Sequence, residues 1–496
     1  MQNGTLLAAV DLGSNSFRLE IGRLDHGQIR RTEYIKETVR QGNGLDESRN
    51  LTREAMQRGW DCLARFGERL AGFRKNQVRA VATQTLREAR NREVFLAGAH
   101  RVLGFPIDVI SGREEARLIY QGVAHLLPQS DERRLVVDIG GRSTELILGH
   151  GFEAEVMESY RVGSVAWSMK YFPEGQFTAQ AFDAAEVAAK AVLDEALTAY
   201  ARDTWDVAYG SSGTIGAVGD VLAAAGWAGA GITRDGLDWL VDRLIAARGA
   251  EKVRLDALKD DRRPVIGGGV SVLRAVFDLL DIDKMEPAQG ALRHGVLYDL
   301  LDREHGDTDI RGTTVERLST KFDVDTAQAR RVGRVARHLL RQLRASDAPD
   351  ELARLERKLG WAAQLHEIGS VISHSDYHKH GAYILDNADA PGFAQPELHR
   401  LSQLVLGHRG KLRKLEAGLD DEVFVHQLLC LRLAVILCHA RREPDVSALR
   451  LSGASAQFLL RLAPEWVSAY PQSAHLLREE RAAWQKTPWT LAVATA

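Results

Sequence analysis

One segment of the chain occurs twice. LLAAVDLGSNSFRLEIG (Leu6 to Gly22) and RLVVDIGGRSTELILG (Arg134 to Gly149) align without a gap when Asp11 is set on Asp138. The same offset pairs Gly13 with Gly140, Ser16 with Ser143, Leu19 with Leu146 and Gly22 with Gly149. Each copy reads as an apolar strand, a Gly/Ser turn and a second strand, and each continues through a polar hairpin, DHGQ or GHGF, into a third extended segment. A repeat sets the plan of a fold before any single motif does. Two versions of one β-meander are predicted.

The segments after the two meanders are also alike. The first meander leads to a helix over about 52–74, a strand VRAVATQ, a helix from about Arg87, a strand IDVI and a helix opening at SGREEARLIY. The second leads to a helix-rich stretch from Phe177 to Tyr200, a strand DVAYG, a turn SSGT and more helix. This is an α/β pattern in which helices cover a central sheet. At 496 residues the chain exceeds one ordinary core, and three or four domains are expected. From about Ile310 the pattern turns to long amphipathic runs rich in Arg, Leu, Ala and His. DVDTAQARRVGRVARHLLRQL reads as a helix capped by Asp323 or Asp325. The reading is a first lobe over 1–124, a second over 125–310, a helical domain over 311–442, and a small α+β tail over 443–496. In the tail, ALRLSG and FLLRLAP read as strands and SAHLLREERAAWQ as a helix.

Composition mainly excludes. Apolar residues at 45% and charged residues at 27% are globular values, which argues against long disorder or a fibre. A formal charge of -2 leaves any polyanion to be held by a local basic lining, and it weakens a nucleic-acid-binding reading. Cys62, Cys430 and Cys438 are too few and too scattered for a disulfide framework or a zinc site, so a reducing cytoplasm is expected. The start of the chain lacks a basic segment ahead of a secretory apolar stretch, and no window reaches the ~20 apolar residues that span a bilayer. Peripheral membrane association is the most that is expected.

The two D-[LI]-G-[SG]-x-S turns end apolar strands with a carboxylate, then offer backbone N–H groups and a hydroxyl. That combination suits phosphate with a divalent metal. A single such turn is an ordinary tight turn; two at matching positions can face each other across a cleft as a phosphate clamp. YGSSGTIGAV (Tyr209 to Val218) puts small residues where a strand enters a helix, which suits either a helix cap or an anion. In SGREEARLIY, Glu114 and Glu115 lie ~100° apart around a helix start, so one can face a cleft and the other a basic partner or solvent. A cleft glutamate can take a proton from an attacking water.

DLGSNSF, TQTLREARN, ISGREEARLIY, VVDIGGRSTEL, GSSGTI and QGALRHGVL occur here in the order seen in exopolyphosphatases. The chain resembles the exopolyphosphatase and guanosine-pentaphosphate phosphatase family over its length. That resemblance implies a duplicated actin-like, ribonuclease H-like core that hydrolyses phosphoanhydrides, with Mg2+ as cofactor and K+ as a candidate activator. It places the catalytic glutamate at Glu115 and the metal on Asp11, Asp138 and Glu145. Phosphate contacts fall on Ser14, Asn15, Ser16, Arg87, Gly140, Ser143, Ser212, Gly213 and Thr214. DIGGRSTE departs from the family's DIGGGSTE at Arg142, which would clash if a positive φ is required or else add a cationic contact; altered phosphate affinity with activity retained is expected. Inorganic polyphosphate is the expected substrate, shortened by one terminal phosphate at a time. The 5′-phosphate of guanosine pentaphosphate (pppGpp) is the alternative, and a kinase, a chaperone-like ATPase or a noncatalytic nucleotide sensor is less favoured. The resemblance also suggests a homodimer.

LHEIGSVISHSDYHKHGAYIL (Leu365 to Leu385) resembles an HD-type helical phosphohydrolase domain. Its His-Asp pair reads His366-Glu367 here, and Val435 stands where a terminal aspartate belongs. A binding or dimerising role is expected in place of a second active site. Arg409, Lys411, Arg413 and Lys414 form a basic run that is either solvated surface or a lining for a polyanion.

Overall fold

The computed structural model describes residues 1–495 apart from 228–230, 304–307, 448 and 455. The chain divides into two compact units, Met1–Thr308 and Asp309–Ala496. No described helix is long and apolar enough to cross a membrane.

The repeat is visible as topology. In the first unit β1 (Leu6–Leu12), β2 (Ser16–Asp25), β3 (Gln28–Thr38), β4 (Val78–Ala82) and β5 (Ile107–Val109) form a sheet of order β3-β2-β1-β4-β5. A second sheet contains β6 (Arg133–Ile139), β7 (Thr144–His150), β8 (Glu153–Tyr160), β9 (Val207–Ser211), β10 (Ile232–Thr233) and β11 (Lys284–Pro287). Its order is β10-β11-β9-β6-β7-β8, the same plan with β10 added at one edge. Both halves run antiparallel through the meander and parallel from its first strand onward, apart from the added β10, which pairs antiparallel with β11. Even the irregularities repeat. The ladder slips at Ile21/Gly22 in one copy and at Leu148/Gly149 in the other, so the paired glycines mark equivalent bulges. The hairpins differ: His26 and Gly27 both have positive φ, as a two-residue type I′ turn needs, whereas the second hairpin turns at Gly151 alone.

Strand alternation gives β1 two buried faces. Ala8, Val10 and Leu12 enter the first lobe's own core, while Leu7 and Ala9 enter a core shared with Val136 of β6. Two helices, Gly112–Ala124 and Leu292–Asp302, fill that shared core with Leu118, Ile119, Val296 and Leu297. They cross in backbone contact: a Cβ on Gly295 would lie 1.7 Å from the Leu118 carbonyl oxygen, and one on Gly122 would lie 2.3 Å from that of Ala291. The segment from Leu292, read from sequence as part of the second lobe, therefore packs on the helix that carries Glu115. A long return helix looks the same in sequence whichever lobe it covers.

The helix over 52–74 is Arg53–Arg69, capped by the Thr52 hydroxyl, and it stops before Gly72, whose φ is 90°. VRAVATQ ends as a strand at Ala82, and the chain turns at once into the short helix Gln84–Glu88. In the second unit Asp325, not Asp323, caps helix Thr326–Leu343 by accepting the Gln328 N–H at 2.9 Å. One apolar core there runs from Val315 to Leu491. The tail from 443, with β12 (Leu449–Ala454), β13 (Gln457–Leu462), β14 (Thr490–Thr495) and helix Pro471–Trp484, packs into that same core. Buried Glu480 of this helix accepts from Arg432 and from the Trp484 indole, which ties the tail to helix Glu422–Leu437.

Candidate active site

The two Gly/Ser turns converge. A Cβ on Gly141 would lie 3.1 Å from that of Ser14, and Asp11 and Asp138 line a single cavity of about 360 Å3 in the first unit. Ser14, Asn15 and Ser16 line it from the first turn, Gly140 and Ser143 from the second. Each turn is closed in the same way: a Cβ on Gly13 would lie 3.0 Å from the Ser16 carbonyl oxygen, and one on Gly140 3.1 Å from that of Ser143. Asn15 Nδ2 and Ser16 Oγ are buried there without a hydrogen-bond partner among the described residues, so two donors await an acceptor.

The third turn completes the wall. Ser212, Gly213 and Thr214 line the cavity at the start of helix Ser212–Leu222. Ser212 holds a φ of 91° and its hydroxyl accepts the N–H groups of Thr214 (3.1 Å) and Ile215 (3.2 Å). It therefore caps the helix and faces the cleft as well. Gly213 gives room to Arg262, since a Cβ there would lie 2.2 Å from the guanidinium.

The glutamate pair separates as its helical spacing requires. Glu115 lines the cavity, while Glu114 is fully buried against Arg117 (2.8 Å) and Arg79 (3.6 Å). Burial pushes the Glu115 carboxyl up; Arg87 opposes this, and Asp138 and Asp11 add to it. Arg87 Nη1 donates to Glu115 at 2.7 Å and to the Ile110 carbonyl at 3.0 Å, and the guanidinium also grips Gln84. Arg87 is thus not among the cavity-lining residues, contrary to its reading as a phosphate contact. Its charge is spent on positioning Glu115.

Two further side chains are placed differently from the sequence reading. Arg142 points away from the cavity, donating to Glu88 (3.0 Å) and to the Gly42 carbonyl (3.2 Å), and its φ is not positive, so neither the clash nor the added phosphate contact arises. Glu145, paired with Asp138 across β6 and β7, is 1% exposed, accepts from Ser159 at 2.7 Å, and stands behind the lining. Arg409, Lys411 and Arg413 belong to the second unit, where Arg409 sits over the Tyr377 ring at 4.7 Å.

Among the described residues no three His, Cys, Asp or Glu side chains group closely enough to hold a metal alone, and Asp11 already accepts from Arg18 at 2.9 Å. The triad Asp11, Asp138 and Glu145 is therefore not a preformed ligand set. The donor chemistry still fits Mg2+, which commonly uses one or two carboxylates and takes further ligands from substrate phosphates and water. Burial pushes Asp138 up to about 6; Ser211 and Arg18 pull it down, and Asp11 raises it. Burial, then Glu115 and Asp138, raise Glu145 further. A cation at Asp138 would offset this repulsion. In the second unit His366, His378 and His408 are buried and kept neutral, chiefly by burial, and the rings of His366 and His408 meet edge to face at 5.4 Å.

Sequence reasoning missed the cations of this cleft. Arg18, Lys36, Lys259, Arg262 and Arg293 all line it. Arg18 and Lys36 are paired neighbours on β2 and β3, and Lys36 bridges to Asp261 at 2.8 Å from the other half. Burial and the nearby Arg18 lower Arg262. The available signal was strand parity: Arg18 follows Ser16 by two, and so shares its face.

The site thus lies in a duplicated α/β core, with matched glycine-serine turns around one acid-and-cation-lined cleft. Likeness to known proteins gives the family. A sequence profile described as the Ppx/GppA phosphatase family matches residues 21–304, and one described as Ppx/GppA phosphatase, domain III, matches 310–481. Relatives from Vibrio atlanticus and Vibrio cholerae, both named guanosine-5'-triphosphate,3'-diphosphate pyrophosphatase, are each 39% identical over 98% of this chain. The matches cover 97% and 98% of those proteins. A solved exopolyphosphatase from Cytophaga hutchinsonii is 22% identical with a TM-score of 0.55, covering 60% of this chain and 98% of its own. An Aquifex aeolicus member of the Ppx/GppA family is 24% identical with a TM-score of 0.51, covering 61% of this chain and 99% of its own. At these identities the solved structures speak for fold. The chain belongs to the Ppx/GppA phosphatase family.

Proposed function

We propose that the protein removes the 5′-terminal phosphate of guanosine-5'-triphosphate,3'-diphosphate by hydrolysis. The observation that carries the reaction type is the cavity itself, where Glu115 shares one space with Asp11, Asp138 and both Gly/Ser turns. Near-full-length identity to relatives named for that nucleotide supports the substrate. This reverses the order expected from the sequence, in which polyphosphate came first.

The terminal phosphoryl group would rest against the turns at 13–16 and 140–143 and the helix start at 212–214. Positioning and charge neutralisation do most of the work in such transfers. Glu115, its basicity raised by burial and its orientation fixed by Arg87, aligns a water and takes its proton as the water oxygen bonds to phosphorus. The bond to the bridging oxygen breaks, and the diphosphate oxygen leaves with the electron pair. Arg18, Lys36 and Arg262 offset charge on the phosphates that remain. Mg2+, held by Asp138 with Asp11 beside it, would supply further charge neutralisation on the phosphate oxygens. Phosphate release from the nucleotide and from long-chain polyphosphate, measured on one preparation, tests the reading. A higher kcat/KM for the nucleotide is expected; a clear preference for polyphosphate would overturn it.

A further inference from the structure

A cleft that handled phosphate alone would have no use for an exposed aromatic ring, yet one stands in its wall. Tyr34 lines the cavity from β3 and is 39% exposed. It shares a strand face with Lys36, two residues on, and pairs with Glu20 across β2 and β3, as Lys36 pairs with Arg18. The ring is held in place. Arg293 packs over it at 4.9 Å and is itself fixed by Glu20, and Arg31 approaches at 5.8 Å. The hydroxyl has Arg18 and Arg262 as electrostatic neighbours and makes no hydrogen bond among the described residues. A chain of neighbours therefore runs from Asp138 through Asp11 and Arg18 to Tyr34, with two carboxylates at one end, a guanidinium between and an aromatic ring at the far end.

The geometry points to Tyr34 as the platform for the base of a purine nucleotide whose phosphates extend toward Glu115. This rests on the proposed function and deepens it by naming what distinguishes the nucleotide from polyphosphate. Stacking on an aromatic ring is worth ~1–3 kcal/mol per base, whereas inorganic polyphosphate offers the ring nothing but charge. Arg293, which also lines the cavity, adds a guanidinium beside the ring.

The test compares GTP with tripolyphosphate, which carry the same three-phosphate chain with and without a nucleoside. Equilibrium binding is measured by calorimetry in the Glu115→Gln background so that neither is consumed. With Tyr34 intact, GTP should bind more tightly than tripolyphosphate. Tyr34→Ala should weaken GTP by about 5- to 100-fold and leave tripolyphosphate within twofold, while Tyr34→Phe keeps both. Equal affinity for the two ligands with Tyr34 intact, or an equal loss for both on Tyr34→Ala, would overturn the platform. Failure of the functional reading looks different: the wild-type protein would release no phosphate from the pentaphosphate nucleotide although the Tyr34-dependent preference for GTP persisted.

Discussion

Glu115 and Arg87 act as one device, and their roles separate under substitution. Burial alone would keep the Glu115 carboxyl protonated to higher pH, and Arg87 is the main group that opposes this. Removing the guanidinium therefore leaves the carboxyl raised further. Arg87→Met is expected to lower kcat by about tenfold or more and to move the rising limb of the pH–rate profile upward, with KM changed little. An unchanged limb would show that Arg87 does not tune the base. Asp138 gives a stability prediction. Its folded carboxyl lies near 6 against an ordinary 3.8, so stability is full below about pH 4 and declines as pH rises through about 6. Ionised Asp138 costs about 3 kcal/mol at neutral pH by this shift. With chelator present, Asp138→Asn should melt several degrees higher than wild type at pH 7.5, converge with it near pH 4, and have no activity. A lower melting temperature at pH 7.5 would remove the account of mutual repulsion.

At the scale of elements, the helix Gly112–Ala124 carries the chemistry on one side and a buried charge network on the other. Asp299, on helix Leu292–Asp302, is 1% exposed and is bound by Arg79, Arg117 and Arg303. Against the upward push of burial, these cations hold its carboxyl far below the usual carboxylate range. Arg117 also grips Glu114, so the network fixes the rotation of the helix and with it the aim of Glu115. Breaking a buried network by removing one partner typically costs ~3–5 kcal/mol. Asp299→Ala is expected to lose stability on that scale in denaturant unfolding, and a cost under about 1 kcal/mol would contradict the role. Much of this scale was legible in advance. The repeat foretold two matched meanders, and the adjacent glutamates foretold one facing the cleft and the other a basic partner or solvent, of which Glu114 takes the basic partner. Contacts between distant segments were not legible: nothing local in LRHGVLYDLLD says that it crosses the Glu115 helix at a glycine, and nothing in REARN says that Arg87 turns to a glutamate rather than to phosphate.

For the whole molecule, duplication explains why one cleft holds the functional groups. Each half contributes a strand that carries an aspartate near its end and a Gly/Ser turn, and the core shared by Leu7, Ala9, Val136 and Ile147 holds the two strands back to back. The repeated segments disclosed that convergence; the cations and the aromatic ring of the cleft did not repeat and so gave no sign. Lys36 and Tyr34 come from the third strand of the first half only, and Arg262 from a connection in the second half. The helical unit was legible as helices with a capped start at Asp325, but the resemblance to a metal-binding phosphohydrolase domain ends in neutral, packed histidines.

The central claim is that Glu115 performs the chemistry in a cleft whose other residues bind. Glu115→Gln removes the base and keeps the shape, so phosphate release from guanosine-5'-triphosphate,3'-diphosphate should fall by about 100-fold or more while equilibrium affinity for the nucleotide stays within about threefold. Turnover within tenfold of wild type, or loss of binding in step with loss of rate, would contradict it.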